Sequence, residues 1–249
     1  MKYPEEKRTL KNKKQDQRTT EMNRIFRENN TSHAILINIL IAFVSLFLNG
    51  FGVYLTIHAN IGSAPWDVLN LGLSKTFGVL YGTASITVSL LVLGVDIALK
   101  EPIGIAMLID ALTVGKSVDF FDWINIVPIP KTLLGSIFMT FVGLFIIGYT
   151  QYFYMRAALG CGPRDTLLVG ITKHIKKMPI GLISIFMQSI VTFTGYLLGG
   201  AVGIGTIICA FCAGPIMQFA FNTFSYDATG IKHQNIVESV KIFAKKKNT

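Results

Sequence analysis

The chain repeats one eight-residue pattern, and this repeat limits its possible folds more than any other feature. The two copies are GSAPWDVL at residues 62–69 and GCGPRDTL at residues 160–167, 98 positions later. A second pattern, GIAMLI at residues 104–109, returns as GIGTII at residues 203–208, with an offset of 99. Three small residues follow the same offset, so that Gly82, Ser85 and Gly115 correspond to Gly181, Ser184 and Gly214. We therefore expect a duplicated structural unit, from which many transporter folds are built.

Composition places this unit in a lipid bilayer. Hydrophobic residues make up 51% of the 249 residues and charged residues 15%, and the mean hydropathy is +0.51, which is too apolar for an ordinary soluble domain. Six apolar stretches each approach the roughly 20 residues that cross a hydrocarbon core. They cover residues 34–57, 82–99, 103–121, 132–155, 181–198 and 203–224. Because lipid offers the backbone no hydrogen-bond partners, each stretch is predicted to be a helix.

The repeated pattern itself predicts two helices that are too short to cross. After Pro65 the helix-compatible run spans about thirteen residues, which rise roughly 20 Å, and lysines from Lys173 onward shorten the second copy further. Pro163, like Pro65, suits the first position of a helix. Asp67 and Asp165 then lie in the first turn, at the positive end of the helix dipole. We expect two half-helices that line a cavity; the alternative is an aspartate-stabilised helix start at the interface, without a ligand.

These elements predict an all-α multi-pass membrane protein with six transmembrane helices and two half-helices. Three spans and one half-helix per unit insert the two units in opposite orientations, which gives two inverted repeats. Repeat one covers about residues 34–123 and repeat two about residues 131–224, within a membrane domain of residues 33–225. Eight spans and a parallel repeat would result if both half-helices crossed, but their length favours six.

Basic tails are predicted on both sides of this domain. Residues 1–32 carry nine Lys or Arg against five acids, and residues 226–249 end in a lysine run. The positive-inside rule places both termini in the cytoplasm. Anionic lipid headgroups account for the net charge of +9. Nucleic acid is not an expected partner, because no basic stripe is interleaved with aromatic residues.

The doubled G-x-[AG]-P-x-D-x-L pattern, with GIGT in the last span, resembles the YczE/YyaS/YitT group of bacterial integral membrane proteins, and most closely its YczE-like branch. The resemblance covers nearly all of residues 34–224. It implies a multi-pass protein of the bacterial plasma membrane, with no substrate that can be carried over.

Two ionisable residues of the membrane domain call for an explanation. A carboxylate at Asp110 costs about 2.5–3.5 kcal/mol at the centre of a span unless it is paired, protonated or hydrated. Its repeat counterpart is Cys209, so the architecture does not demand the charge. Arg164 lies beside the second half-helix start, where it and Arg156 would form an anion site if both converge. Alternatively, Asp165 would neutralise the helix dipole and an arginine there, without any bound anion.

The predicted substrate-binding residues are Ser63, Asp67, Asp110, Arg164, Asp165 and Thr206. No enzyme is predicted, since the chain contains no P-loop, HExxH or GxSxG motif. No cofactor or metal site is expected either. Cys209 and Cys212 have a metal-like spacing but lie in an apolar span, where small residues serve helix packing.

Together these features favour a small secondary transporter or exporter of an anionic or polar molecule. Asp67, Asp110 and Asp165 are its candidate proton or cation carriers, and Arg164 with the half-helix starts would hold the substrate. One alternative is a non-transporting scaffold or regulatory partner of a lipid or metabolite pathway, acting through the tails. Another is a membrane enzyme with an aspartate acid/base, which the missing nucleophile disfavours. The substrate, the coupling ion and the oligomeric state, a homo-oligomer included, stay open.

Overall fold

A computed structural model describes residues 32–175 and 178–224, and these residues form eight α-helices and no strand. The all-α multi-pass membrane fold is thus confirmed, while the predicted tails, except for Ser32, lie outside the described residues. The helices are α1 (Ser32–His58), α2 (Pro65–Phe77), α3 (Tyr81–Ala98), α4 (Ile105–Ile124), α5 (Leu133–Arg156), α6 (Pro163–His174), α7 (Ile180–Leu197) and α8 (Ile204–Thr223).

Among the described helices, five are long and apolar enough to cross a membrane: α1, α3, α5, α7 and α8. The predicted sixth span corresponds to α4, which has 20 residues, as many as α8. Its sequence includes Asp110, Lys116, Asp119 and Asp122, and these charges set it apart from the other five. Helix α4 packs between α1 and α3.

Helices α2 and α6 are short, with 13 and 12 residues, or about 20 and 18 Å at 1.5 Å per residue. Each begins at its proline and holds its aspartate in the first turn. The turns before them contain Gly62 at φ +101° and Gly160 at φ +123°, a conformation that a side chain would strain. Helix α2 ends at Gly78, a left-handed cap whose N–H donates to the carbonyl of Ser74.

Helices α1 and α5 pack against each other in antiparallel orientation. The Nδ2 of Asn49 donates to the Oγ1 of Thr150 at 3.1 Å. Three residues later in α1, a Cβ on Gly52 would lie 2.8 Å from the carbonyl oxygen of Gly143, which comes earlier in α5. Small residues at such positions let two membrane helices approach closely.

Helix α4 runs parallel to α1. Ala42 and Ala106 share one buried cluster near the beginning of both helices. Tyr54 and Val118 share another near their ends. The charged helix is therefore anchored along its length by an apolar neighbour.

Helix α8 lies on α5 in the same way. Leu144 packs with Cys209, and further along the ring of Tyr152 stacks on Phe224, just past α8, with centroids 4.2 Å apart. The last helix of each half of the chain thus packs on the first helix of the same half.

The short helices instead pack on the opposite half. Helix α2 lies on α7, where a Cβ on Gly195 would come within 2.5 Å of the amide nitrogen of Leu69. Helix α6 lies on α3, and the Nζ of Lys173 is 2.5 Å from Oε2 of Glu101, just after α3. The two halves are interlocked through these exchanged helices.

Candidate functional site

The turn before α2 is fastened to the start of α8. The amide of Gly205 donates to the carbonyl of Ile61 at 2.7 Å. Gly62 lies so close to Gly203 that a Cβ would overlap the amide nitrogen of Gly203, and it would also lie 2.7 Å from the Oγ1 of Thr206. That hydroxyl accepts the N–H of Gly203 at 3.2 Å. The predicted site residue Thr206 is therefore buried in this junction, where it caps α8.

The turn before α6 is fastened to the start of α4 by the corresponding bond. The amide of Ala106 donates to the carbonyl of Leu159 at 3.1 Å. A Cβ on Gly160 would lie 2.7 Å from the Cα of Gly104. Ala106 is fully buried, so both half-helix starts are held by backbone contacts with the other half of the chain.

Arg164 connects the two half-helix starts. Its guanidinium carbon lies 5.1 Å from the ring centroid of Trp66, within the range of a cation–π interaction. Its charge acts on three carboxylates in the same region: Asp67 of α2, Asp110 of α4 and Asp165 of α6. Among the described residues none of the three forms an ion pair with Arg164, so the structure brings four of the predicted residues into one region without direct contact between the charges.

Asp67 is the most enclosed of these carboxylates, with 4% of its surface exposed. Its Oδ1 accepts the hydroxyl of Tyr81 at 2.8 Å, and the Tyr81 oxygen accepts the Nδ2 of Asn70 at 3.3 Å. The Oδ1 of Asn70 is buried and finds no hydrogen-bond partner in the described residues. A polar chain therefore leads from the centre to the first residue of α3.

Asp110 and Asp165 both border Gly162, the residue before α6. A Cβ on Gly162 would lie 2.7 Å from the Oδ2 of Asp110 and 3.9 Å from the Oδ2 of Asp165. Asp110 is half-buried, whereas Asp165 is exposed. The buried hydroxyl of Tyr154, which has no hydrogen-bond partner in residues 32–175 and 178–224, interacts electrostatically with both carboxylates.

The remaining predicted residues lie elsewhere. Ser63 is buried in the turn before α2, close in sequence to the junction with Thr206. Arg156 is exposed and its Nη1 donates to the hydroxyl of Tyr152 at 3.4 Å, while Arg164 contacts Trp66. The two arginines therefore have different partners.

Four residues of this centre were not predicted: Trp66, Asn70, Tyr81 and Tyr154. One signal was present for Trp66, which occupies the position of Arg164 in the repeated pattern. Tyr154 lies in an aromatic run at the end of α5 that is typical of an interfacial belt, but it is 1% exposed within the fold. Asn70 and Tyr81 carry no sequence signal beyond their nearness to the first half-helix.

A cavity of about 640 Å³, open to the surface of the helices, lies between α7 and α8, and lining side chains such as Phe193 and Phe211 are more than half exposed. Its inner end includes Pro65, the first residue of α2, and Thr206 at the start of α8. Most of its surface is apolar, and the polar lining residues of α7 are Gln188, Ser189 and Thr192. The cavity thus connects the outer surface of the helices to the region of the half-helix start.

The fold and this site define an all-helical multi-pass membrane protein in which two broken-helix starts meet at a charged centre. The chain belongs to the DUF6198 family, a family of unknown function whose sequence profile matches residues 36–222. It is 33% identical to the uncharacterized membrane protein YczE of Bacillus subtilis over 180 residues, covering 72% of this chain and 82% of the relative.

Two further relatives are similar over comparable lengths. An uncharacterized protein of Haemophilus influenzae is 29% identical over 184 residues, 74% of this chain and 83% of its own length. The uncharacterized protein YyaS of Bacillus subtilis is 26% identical over 183 residues, 72% and 89% of the two chains. The predicted relationship to the YczE and YyaS proteins is confirmed. No solved structure matches the chain.

Proposed function

We propose that this protein is a small secondary transporter of the bacterial plasma membrane, driven by an ion gradient. The observation that carries the proposal is the charge balance of this region, where the three carboxyl groups of Asp67, Asp110 and Asp165 are under the electrostatic influence of one guanidinium, that of Arg164. Unpaired charge inside a membrane is expensive. Taking up a proton or a cation relieves the surplus of carboxylates, and releasing it on the other side would couple the movement to a gradient.

An inverted repeat is supported by the helix pairing. Helices α1 and α5, the first of each half, are antiparallel (Asn49 to Thr150), and each half repeats the same packing of its first and last helices. In addition, Trp66 and Arg164 hold equivalent positions and contact each other. This arrangement fits transporters whose halves rock around a central site.

The packing around α3 supports an approach of the half-helices to the centre from opposite faces. Three residues separate the end of α2 from the start of α3, while α6 ends beside Glu101, which follows α3. Because the 18 residues of α3 rise about 27 Å, this packing favours opposite sides of the bilayer for the outer ends of α2 and α6. With α4 as a sixth span and Lys173 in the cytoplasm, both termini are cytoplasmic by the positive-inside rule.

Helices α3 and α4 pack closely, whereas the equivalent helices α7 and α8 are separated. The amide of Gly82 donates to the Oδ1 of Asp119 at 2.7 Å, and a Cβ on Gly82 would lie 2.5 Å from the carbonyl oxygen of Gly115. At the counterparts, Gly181 and Gly214, a Cβ would meet no atom of the described chain within 4 Å. This asymmetry is what one end state of an alternating-access cycle requires.

Everted membrane vesicles provide the test. A pH gradient is established across vesicles that contain the protein, and a panel of small organic cations and anions is added while an acridine dye reports the gradient. We expect at least one solute to discharge the gradient in parent vesicles, and to do so at least ten-fold more slowly with Asp110→Asn. Asp122→Asn is the matched control, because Asp122 is an exposed carboxylate on the same helix. Equal behaviour of parent and Asp110→Asn vesicles with every solute would refute coupling through this centre.

A further inference from the structure

We propose that the cavity between α7 and α8 binds an organic cation with an apolar body. This inference rests on the proposed function and names the substrate class. The cavity volume of about 640 Å³ is within the range that holds drug-sized molecules. Its predominantly apolar walls disfavour strongly hydrated solutes such as sugars.

The lining supplies the groups that an amphipathic cation uses. Phe193, Tyr196 and Phe211 line the cavity, and their ring faces attract a positive charge that has lost water. Gln188 and Thr192 add polar atoms on one wall of the cavity. Of the described residues that line it, none carries a charge, so the walls themselves neither repel nor neutralise a ligand.

The sign of the ligand is inferred from the carboxyl groups beyond the inner end of the cavity. Pro65, which lines the cavity, lies two residues before Asp67, which is itself buried and does not line it. The three carboxyl groups of this region outnumber the one guanidinium of Arg164. Their field therefore favours a cation over an anion at the inner end of the cavity.

The cavity does not arise because α7 and α8 lack the small residues that allow two helices to pack closely. Gly181 and Gly214 retain, at the same offset, the two glycines by which α3 and α4 approach each other. The helices around the cavity thus have the residues for close packing but are separated in this structure. If α7 and α8 closed as α3 and α4 do, the space would bind a ligand in the open form and release it in the closed form.

Ligand binding without any gradient tests this inference. Ethidium is titrated into the protein in lipid nanodiscs and followed by fluorescence polarisation. We expect saturable binding that Ala210→Phe weakens at least ten-fold, because Ala210 lines the cavity and a phenyl group would fill it. Ala98→Phe, on the exposed face of α3, should bind ethidium like the parent. Size-exclusion profiles verify that both variants fold.

Three outcomes would overturn the inference. Ethidium binding that Ala210→Phe leaves unchanged would place the ligand elsewhere, and stronger competition by anilinonaphthalene sulfonate than by tetraphenylphosphonium would reverse the sign of the ligand. Disulfide-linked dimers through Ala210→Cys, in a chain without its other cysteines, would show that a second copy covers the cavity. Ethidium binding without solute-driven discharge of a pH gradient would leave this inference intact and refute transport.

Discussion

Trp66 and Arg164 occupy the same position of the two repeated patterns, and they contact each other, with the guanidinium carbon 5.1 Å from the indole centroid. The two halves of the chain therefore meet at this contact, and one half provides the aromatic ring while the other provides the cation.

Replacing Arg164 by leucine should destabilise the protein by about 1–2 kcal/mol, because the cation–π contact is lost and three carboxylates lose their shared counter-charge. Thermal unfolding in detergent measures the effect. Arg156→Leu is the matched control, since Arg156 is exposed and, within the residues that the structure describes, bonds to Tyr152 of its own helix. An Arg164→Leu protein as stable as Arg156→Leu would show that the guanidinium does not hold the centre together.

Gly62→Ala should lower the free energy of unfolding by more than about 2 kcal/mol. The residue has φ +101°, which costs a side chain about 1–3 kcal/mol, and the new Cβ would overlap the amide of Gly203. Gly94→Ala provides the comparison, because a Cβ there meets no described atom within 4 Å and should be neutral or slightly stabilising within a helix. Similar unfolding curves for the two variants would contradict the close approach of the α2 turn to α8.

Cysteines at Ser184 and Gly214 should form a disulfide when α7 closes on α8. The equivalent pair, Ser85 and Gly115, is slightly closer than a disulfide requires, since a Cβ on Gly115 would be 3.0 Å from that of Ser85 against 3.5–4.5 Å in a disulfide, so that a small shift of α3 from α4 suffices. Both pairs are made in a chain lacking Cys161, Cys209 and Cys212, and oxidation is followed by gel mobility.

We expect Ser85→Cys/Gly115→Cys to cross-link at once and Ser184→Cys/Gly214→Cys to cross-link more slowly, as the chain visits the second state. A disulfide in the first pair with none in the second, under any ligand or pH, would mean that the α7–α8 space does not close.

Asp119 should control how firmly α3 holds α4. Asp119→Asn keeps an oxygen that accepts the N–H of Gly82, whereas Asp119→Leu leaves this donor unpaired at a cost of about 1–3 kcal/mol. Cross-linking of Ser85→Cys/Gly115→Cys should therefore slow in Asp119→Leu and persist in Asp119→Asn. The counterpart of Asp119 in the second half of the chain is Gln218. Gln218→Leu should therefore slow the cross-linking of Ser184→Cys/Gly214→Cys without affecting that of Ser85→Cys/Gly115→Cys. Equal cross-linking rates in all variants would show that the side chains of Asp119 and Gln218 do not affect closure.

Deleting residues 1–30 separates the transporter from the scaffold hypothesis. The transporter should keep its solute-driven discharge of the pH gradient, because the centre and the cavity lie within residues 32–224. A scaffold should lose its bound proteins in pull-down experiments with no change in any flux. If deletion of residues 1–30 abolished the flux, the N-terminal tail would be required for transport in addition to the charged centre.

The helices were predictable because their signals are local. The six apolar stretches lie within a few residues of α1, α3, α4, α5, α7 and α8, since bilayer thickness sets span length and proline and glycine mark the ends. The starts of α2 and α6 at Pro65 and Pro163 follow from the same chemistry.

Long-range contacts were not predictable from spacing. Nothing in the chain indicates that Tyr81 donates to Asp67 or that α7 stands apart from α8, because both depend on how distant helices pack. The convergence of Asp67, Asp110 and Asp165 on Arg164 required the halves to exchange their short helices. Sequence symmetry revealed that two units exist, but not that they interlock.

The exchanged backbone bonds, from Gly205 to Ile61 and from Ala106 to Leu159, have a consequence for how the chain folds. The turn before each short helix is held by the half of the chain to which that helix does not belong. Neither half can therefore complete the start of its short helix alone. We expect the turn before Pro65 to gain its final contacts only once Gly205, near the start of the last helix, has been inserted.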